Sequence, residues 1–88
     1  MNRELRIRPG SVEWRELEQE VVAVDTRRSI YMAVNRSGAI LWPALLAGTT
    51  FDELVDRLSE SYGLDRDAAQ RDVDTFVRAL DEQDLLER

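Results

Sequence analysis

The chain contains no cysteine, no histidine and no lysine among its 88 residues. Without cysteine there is no disulfide, no thiolate nucleophile and no zinc site of the usual kind. Without histidine the commonest general base and the commonest metal ligand are also missing. With arginine as the only basic residue, Schiff-base chemistry and the phosphate-binding lysine of a P-loop are excluded. Glycine is scarce too: Gly10, Gly38, Gly48 and Gly63 are dispersed and form no phosphate-cradling loop. No stretch approaches the roughly 20 apolar residues of a membrane span. Arg3, Arg6 and Arg8 near the start are followed by no apolar run, so this segment does not read as a secretory signal. A cytoplasmic protein with no cofactor and no metal is expected.

What is present suits one small globular domain over residues 1–88, with 1–10 an N-terminal extension or short strand. Hydrophobic residues make up 43% and charged residues 34%, which excludes a disordered chain. The charge is uneven. Residues 1–50 carry a net +1 and residues 51–88 a net −7, giving the overall −6. An acidic half repels phosphate backbones and favours basic partners.

Periodicity divides the chain in the same way. Leu5 and Ile7 alternate with charged residues before a Pro9-Gly10 turn. Val12, Trp14 and Leu17 begin an extended run that turns at Glu18-Gln19. Val21 to Val24 is a β-branched strand, and residues 30–34 form another after the polar loop 25–29. The period then lengthens to 3.6. Asn35 or Ser37 caps a first helix holding Ile40, Leu41, Ala44 and Leu45, which Pro43 is expected to bend or shorten. Thr50 and Glu53 form a capping box for a second helix, with Phe51, Leu54, Val55, Leu58 and Tyr62 on one face and Gly63 at its end. Asp65 caps a third helix whose stripe is Ala69, Val73, Phe76, Val77 and Leu80, followed by Leu85 and Leu86. The expected class is α+β: a three-stranded antiparallel sheet followed by three helices, compatible with a winged helix-turn-helix.

Few side chains offer chemistry. Asp65 and Asp67 could open a calcium loop, but Gln70 stands where its glycine belongs and Phe76 where its glutamate belongs. Eighteen acids produce carboxylate pairs by chance, most of them on solvated helix faces. The chain is therefore not expected to be an enzyme. A winged helix raises DNA binding, but residues 65–84 of the third helix carry a net −4, the wrong sign for facing phosphates. No nucleic acid and no membrane are expected as partners. Peptide binding remains. The strand at 30–34 should have one free edge, which an extended peptide can join through main-chain hydrogen bonds. Phe76, Val77 and Leu80 could offer apolar pockets beside that edge, but from pattern alone they read first as ordinary core.

An ordered set of residues adds to this. Val12-Glu13-Trp14-Arg15, the run Val21 to Asp25, and Tyr31-Met32-Ala33-Val34-Asn35-Arg36-Ser37-Gly38-Ala39-Ile40-Leu41-Trp42 resemble the PqqD-like family. So do Thr50-Phe51-Asp52-Glu53-Leu54 and Asp72-Val73-Asp74-Thr75-Phe76-Val77 with the terminal Leu85-Leu86-Glu87. The resemblance covers roughly 11–87. It implies a winged-helix domain, a RiPP recognition element, that binds the leader of a ribosomally made precursor peptide as a strand added between the third strand and the third helix. Carried over, the third strand is Ser29 to Val34. The implied contacts are Ser29, Ile30, Tyr31, Met32 and Ala33 on the strand. On the helix they are Ala69, Asp72, Val73, Phe76, Val77 and Leu80, with Asp67 and Asp72 steering basic leader residues. A stand-alone chain with Val12-x-Trp14-Arg15 near its start is most similar to the leader-binding B proteins of lasso peptide biosynthesis. That similarity implies a precursor leader peptide and a separate, transglutaminase-like leader peptidase as partners, and pockets for an aromatic ring and a proline. A PQQ-type peptide chaperone serving a radical enzyme is the alternative within the family. Two positions depart from the family pattern: the turn 26–29 lacks a glycine, and Pro43 falls inside a helix.

Overall fold

Alternation in Glu20–Asp25 buries Val21, Ala23 and Asp25 on one face and leaves Val22 and Val24 half-covered on the other. A computed structural model describes residues 4–8, 10, 12–18 and 20–87. In it this strand, β3, is the middle of an antiparallel meander. It pairs with β2 (Val12–Leu17), Trp14 opposite Ala23, and with β4 (Ile30–Val34), Ala23 opposite Met32. The β2–β3 connection is a tight turn in which Glu18 has φ +53°; Gln19, expected to share it, lies outside the described residues, as does Pro9 of the Pro9-Gly10 turn.

The β3–β4 turn needs no glycine because Asp25 organises it. The Arg27 and Arg28 amides donate to Asp25 Oδ1 at 3.0 and 3.2 Å, and Arg28 Nε donates to Oδ2 at 2.8 Å. Ser29 takes the left-handed conformation at φ +54°. The strand therefore begins at Ile30, and the expectation that Ser29 belongs to it is corrected: a residue at that φ closes the turn instead of continuing the pleat.

The helices start where side-chain caps supply the first amide partners. Asn35 caps α1 (Arg36–Ala47), Thr50 caps α2 (Phe51–Tyr62) and Asp65 caps α3 (Arg66–Glu82). Thr50 Oγ1 accepts from the Glu53 amide as a capping box requires, while the Glu53 carboxylate accepts from the Thr50 hydroxyl and not from its backbone amide, both at 3.2 Å. Helix α1 is not shortened by Pro43. The proline is exposed, and burial of Leu41, Trp42 and Leu45 on the inner side holds the helix through Ala47, against a penalty of about 3 kcal/mol for an interior proline.

The N-terminal strand is placed away from the meander. Strand β1 (Glu4–Leu5) pairs with the two-residue β5 (Thr49–Thr50) that leads into α2. Ile7 then bridges to Leu86 and donates its amide to the Leu45 carbonyl at 3.0 Å. Leu5, Ile7, Leu85 and Leu86 are thereby buried in one core with Val21, Ala23 and Val34 of the sheet and the inner faces of all three helices.

Candidate functional site

The sheet order β2-β3-β4 leaves two outer edges, and among the described residues no strand pairs with either. The edges differ in chemistry. Strand β2, Val-Glu-Trp-Arg-Glu-Leu, carries three charged residues, whereas β4, Ile-Tyr-Met-Ala-Val, carries none. Charged side chains on an edge discourage pairing with other chains. The β4 edge has no such protection.

A groove of about 380 Å³ runs along that edge. Met32, Ala33 and Val34 of β4 form one wall, and Asp72, Thr75, Phe76 and Ala79 of α3 form the other. Asn35 and Ser37, at the start of α1, close one end. These two serve a double purpose: Asn35 Oδ1 accepts from the Gly38 amide at 3.0 Å and from Ser37 Oγ at 2.9 Å, completing the helix cap at the groove mouth. Beyond the other end, Arg28 Nη2 donates to the Gln83 carbonyl just past α3. The hairpin is thus tied to the helix it faces. The floor near Met32, Phe76 and Ala79 is apolar, and the Asn35–Ser37–Asp72–Thr75 end is polar. Thr75 Oγ1 donates to its own helix at the Arg71 carbonyl, 3.0 Å away.

The residues expected to contact a peptide lie in several places. Met32, Ala33, Asp72 and Phe76 meet in the groove. Ala69, Val73 and Leu80 are 0% exposed and Val77 packs against the same core, so they support the groove wall from beneath. Tyr31 is 74% exposed on the outer face of the sheet, where it shares a shallow hollow with Leu17, Val22 and Val24. Ile30 opens β4 and Ser29 lies in the turn. Asp67 sits on the other flank of α3, beside Phe51 and Arg71. The sequence reading missed Val34, Asn35, Ser37, Thr75 and Ala79. For Asn35 and Ser37 a signal existed, because a capping residue next to an edge strand stands at the mouth of any groove that forms there.

Electrostatics at the far end centre on Asp25. The Arg28 side-chain hydrogen bond holds its carboxyl below the usual carboxylate range, against the opposing effect of burial and helped by the Arg27 and Arg28 amides. No group of three or more acidic side chains among the described residues is arranged to hold a metal ion. Nor is any helix among them long and apolar enough to cross a membrane.

A three-stranded meander followed by three capped helices defines an α+β domain of the winged-helix type. The chain belongs to the PqqD family: the profile of the family described as Coenzyme PQQ synthesis protein D (PqqD) matches residues 20–86. Two solved structures share the fold. TbiB1 in complex with the TbiA(beta) leader peptide is 30% identical, with a TM-score of 0.83 over 93% of this chain and 94% of that one. Lasso peptide synthetase B1 complexed with the leader peptide is 25% identical, with a TM-score of 0.80 over 96% of this chain and 98% of that one. No curated protein matches the chain significantly.

Proposed function

We propose that this chain binds the leader segment of a ribosomally made precursor peptide as a strand added to β4, and that it delivers this leader to a separate, transglutaminase-like peptidase in lasso peptide biosynthesis. The observation that carries the reading is the uncharged, unpaired β4 edge facing the groove wall of α3. Main-chain hydrogen bonds along Ile30–Val34 supply affinity that depends little on sequence, and alternate side chains of the guest enter the groove and supply specificity. Met32, Phe76 and Ala79 receive an apolar anchor, an aromatic ring or a proline. Asp72 at the polar end attracts a basic residue and mainly raises the association rate. The core residues Ala69, Val73, Val77 and Leu80 act by holding the wall in place.

The similarity to two B1 proteins solved with leader peptides supports this over the whole domain. The role is one of binding in the cytoplasm, with the chemistry left to the partner. A second reading, a peptide chaperone for quinone cofactor assembly, is favoured by the description of the matching family alone. The two are separated by which peptide binds. Titration of a fluorescein-labelled lasso precursor leader should give a Kd between nanomolar and micromolar, or about −8 to −12 kcal/mol, the ordering of a flexible peptide offsetting part of the contact energy. Saturable binding of a quinone-precursor peptide with none of a lasso leader would support the second reading. Binding to DNA with a steep salt dependence would contradict both, since α3 presents acids along its exposed side.

A further inference from the structure

One wall of the groove rests on an absent side chain. Gly38, in the first turn of α1, is buried between Val34 of β4 and Phe76 of α3. A Cβ added there would lie 2.5 Å from Val34 Cγ1 and 2.9 and 3.1 Å from Phe76 Cε1 and Cζ. Real Cβ contacts are essentially never closer than 3.0 Å, and both neighbours fall below that, so Val34 and Phe76 would each have to give. Val34 is 2% exposed and held by its pairing with Val21. Phe76 is less confined: it is only partly buried, and the other side of its ring is the groove itself. The backbone at Gly38 is ordinary helix, so what the site requires is space and not glycine's conformational freedom.

We infer that Gly38 is a positioning residue that sets the depth of the peptide groove, by letting the Phe76 ring lie back against α1 and so fixing the size of anchor side chain the groove admits. The inference rests on the leader-binding reading above. With alanine at 38, the ring is displaced toward the guest and the groove becomes shallow at that point. Alanine is also the better helix former, which offsets part of the crowding, and circular dichroism checks that the variant is folded.

The test compares Gly38→Ala, Phe76→Leu and the double variant with wild type, using the labelled leader peptide and the same peptide with its bulky anchor shortened to alanine. Gly38→Ala should lower affinity for the intact leader about tenfold, as expected for overpacking by one methyl group. It should leave affinity for the shortened leader nearly unchanged, so that selectivity falls, an outcome general destabilisation would not produce. The double variant should lose less relative to Phe76→Leu alone than Gly38→Ala loses relative to wild type, because the smaller side chain relieves the contact at 76 and leaves only the one with Val34. An apo spectrum of Gly38→Ala should show the Val34 methyl and Ala79 methyl resonances shifted by the moved ring. A folded Gly38→Ala chain with unchanged selectivity, or with effects simply additive to those of Phe76→Leu, would overturn the role of Gly38 while leaving leader binding intact. Absence of binding by the wild-type chain would remove the leader-binding reading, and this inference with it.

Discussion

The two edges of the same sheet have opposite designs. Strand β2 ends the sheet with Glu13, Arg15 and Glu16, and its one large apolar side chain on the core face, Trp14, stands edge-on to Trp42 at 6.3 Å. Strand β4 ends it with five uncharged residues, and α3 is laid beside it. An unprotected edge is an aggregation hazard. Under the proposed function, a groove that admits one strand and limits access to others turns that hazard into a binding site. The same contrast recurs within α3. Ala69, Val73 and Leu80 form a stripe sealed in the core. The adjoining stripe of Asp72, Thr75, Phe76 and Ala79 faces the groove. The two stripes sit side by side on one helix, yet one should control stability and the other recognition.

The sharpest way to break that division is to cut into each stripe. Leu80→Ala should cost about 2–5 kcal/mol of folding stability, as for other buried leucines. That is a large part of the roughly 4–13 kcal/mol available to a domain of this size, at about 0.05–0.15 kcal/mol per residue. Urea titration measures it, and under conditions where the variant stays folded its leader affinity should be close to that of wild type. Phe76→Ala should do the reverse, weakening leader binding by about 2 kcal/mol, the scale of an aromatic hot spot, with a smaller loss of stability. Calorimetry showing unchanged affinity in folded Phe76→Ala would remove the helix side of the groove from the account. Filling the groove with Ala79→Phe should cost about 1–3 kcal/mol of binding, typical of overpacking. Trp14→Ala, beside the other edge, should leave affinity unchanged.

Acid should act on the end of the groove where Arg28 joins the hairpin to α3. Arg28 holds the Asp25 carboxyl below its ordinary range in the folded chain, so the unfolded chain takes up this proton more readily. Asp25 therefore contributes its full stabilisation above the ordinary carboxylate range, and loses it as the pH falls through that range toward the lower folded value. Urea midpoints between neutral pH and about pH 3 should fall more steeply for wild type than for Asp25→Asn. Among the groove residues the smallest effect is expected at Asp72, which is exposed at the polar end of the groove. Asp72→Asn should reduce affinity by about 0.2–1 kcal/mol, the range for exposed charge pairs. It should also reduce the dependence of affinity on salt, and the change should appear mainly in the association rate.

Much of this architecture is legible in the sequence because it is specified locally. Asn35 or Ser37, Thr50 and Asp65 announce three helix starts, and in the structure Asn35, Thr50 and Asp65 accept the hydrogen bonds those positions call for, from Gly38, Glu53 and Ala68 respectively. The period-two pattern in 20–25 and the period-3.6 pattern in 54–58 and 69–80 point to the buried faces. What the sequence hides is tertiary. Nothing in the pattern of Thr75 and Ala79 separates them from solvent-facing residues until α3 is placed against β4. Asp25 reads as an ordinary turn residue, yet its carboxylate is buried and replaces the glycine missing from the turn. The same limit explains why Ala69, Val73 and Leu80 could not be told from Phe76 by periodicity: all four lie on the apolar side of the helix, and only the angle between helix and sheet decides which reaches the groove.

The account stands on a guest strand pairing with β4 and not with β2. Residue-resolved amide hydrogen exchange, with and without saturating leader peptide, measures this directly. Exchange should slow at the outward-facing amides within 30–34 on adding the leader, with rates along 12–17 unchanged. Protection along 12–17, or bound peptide with no protection in 30–34, would contradict it.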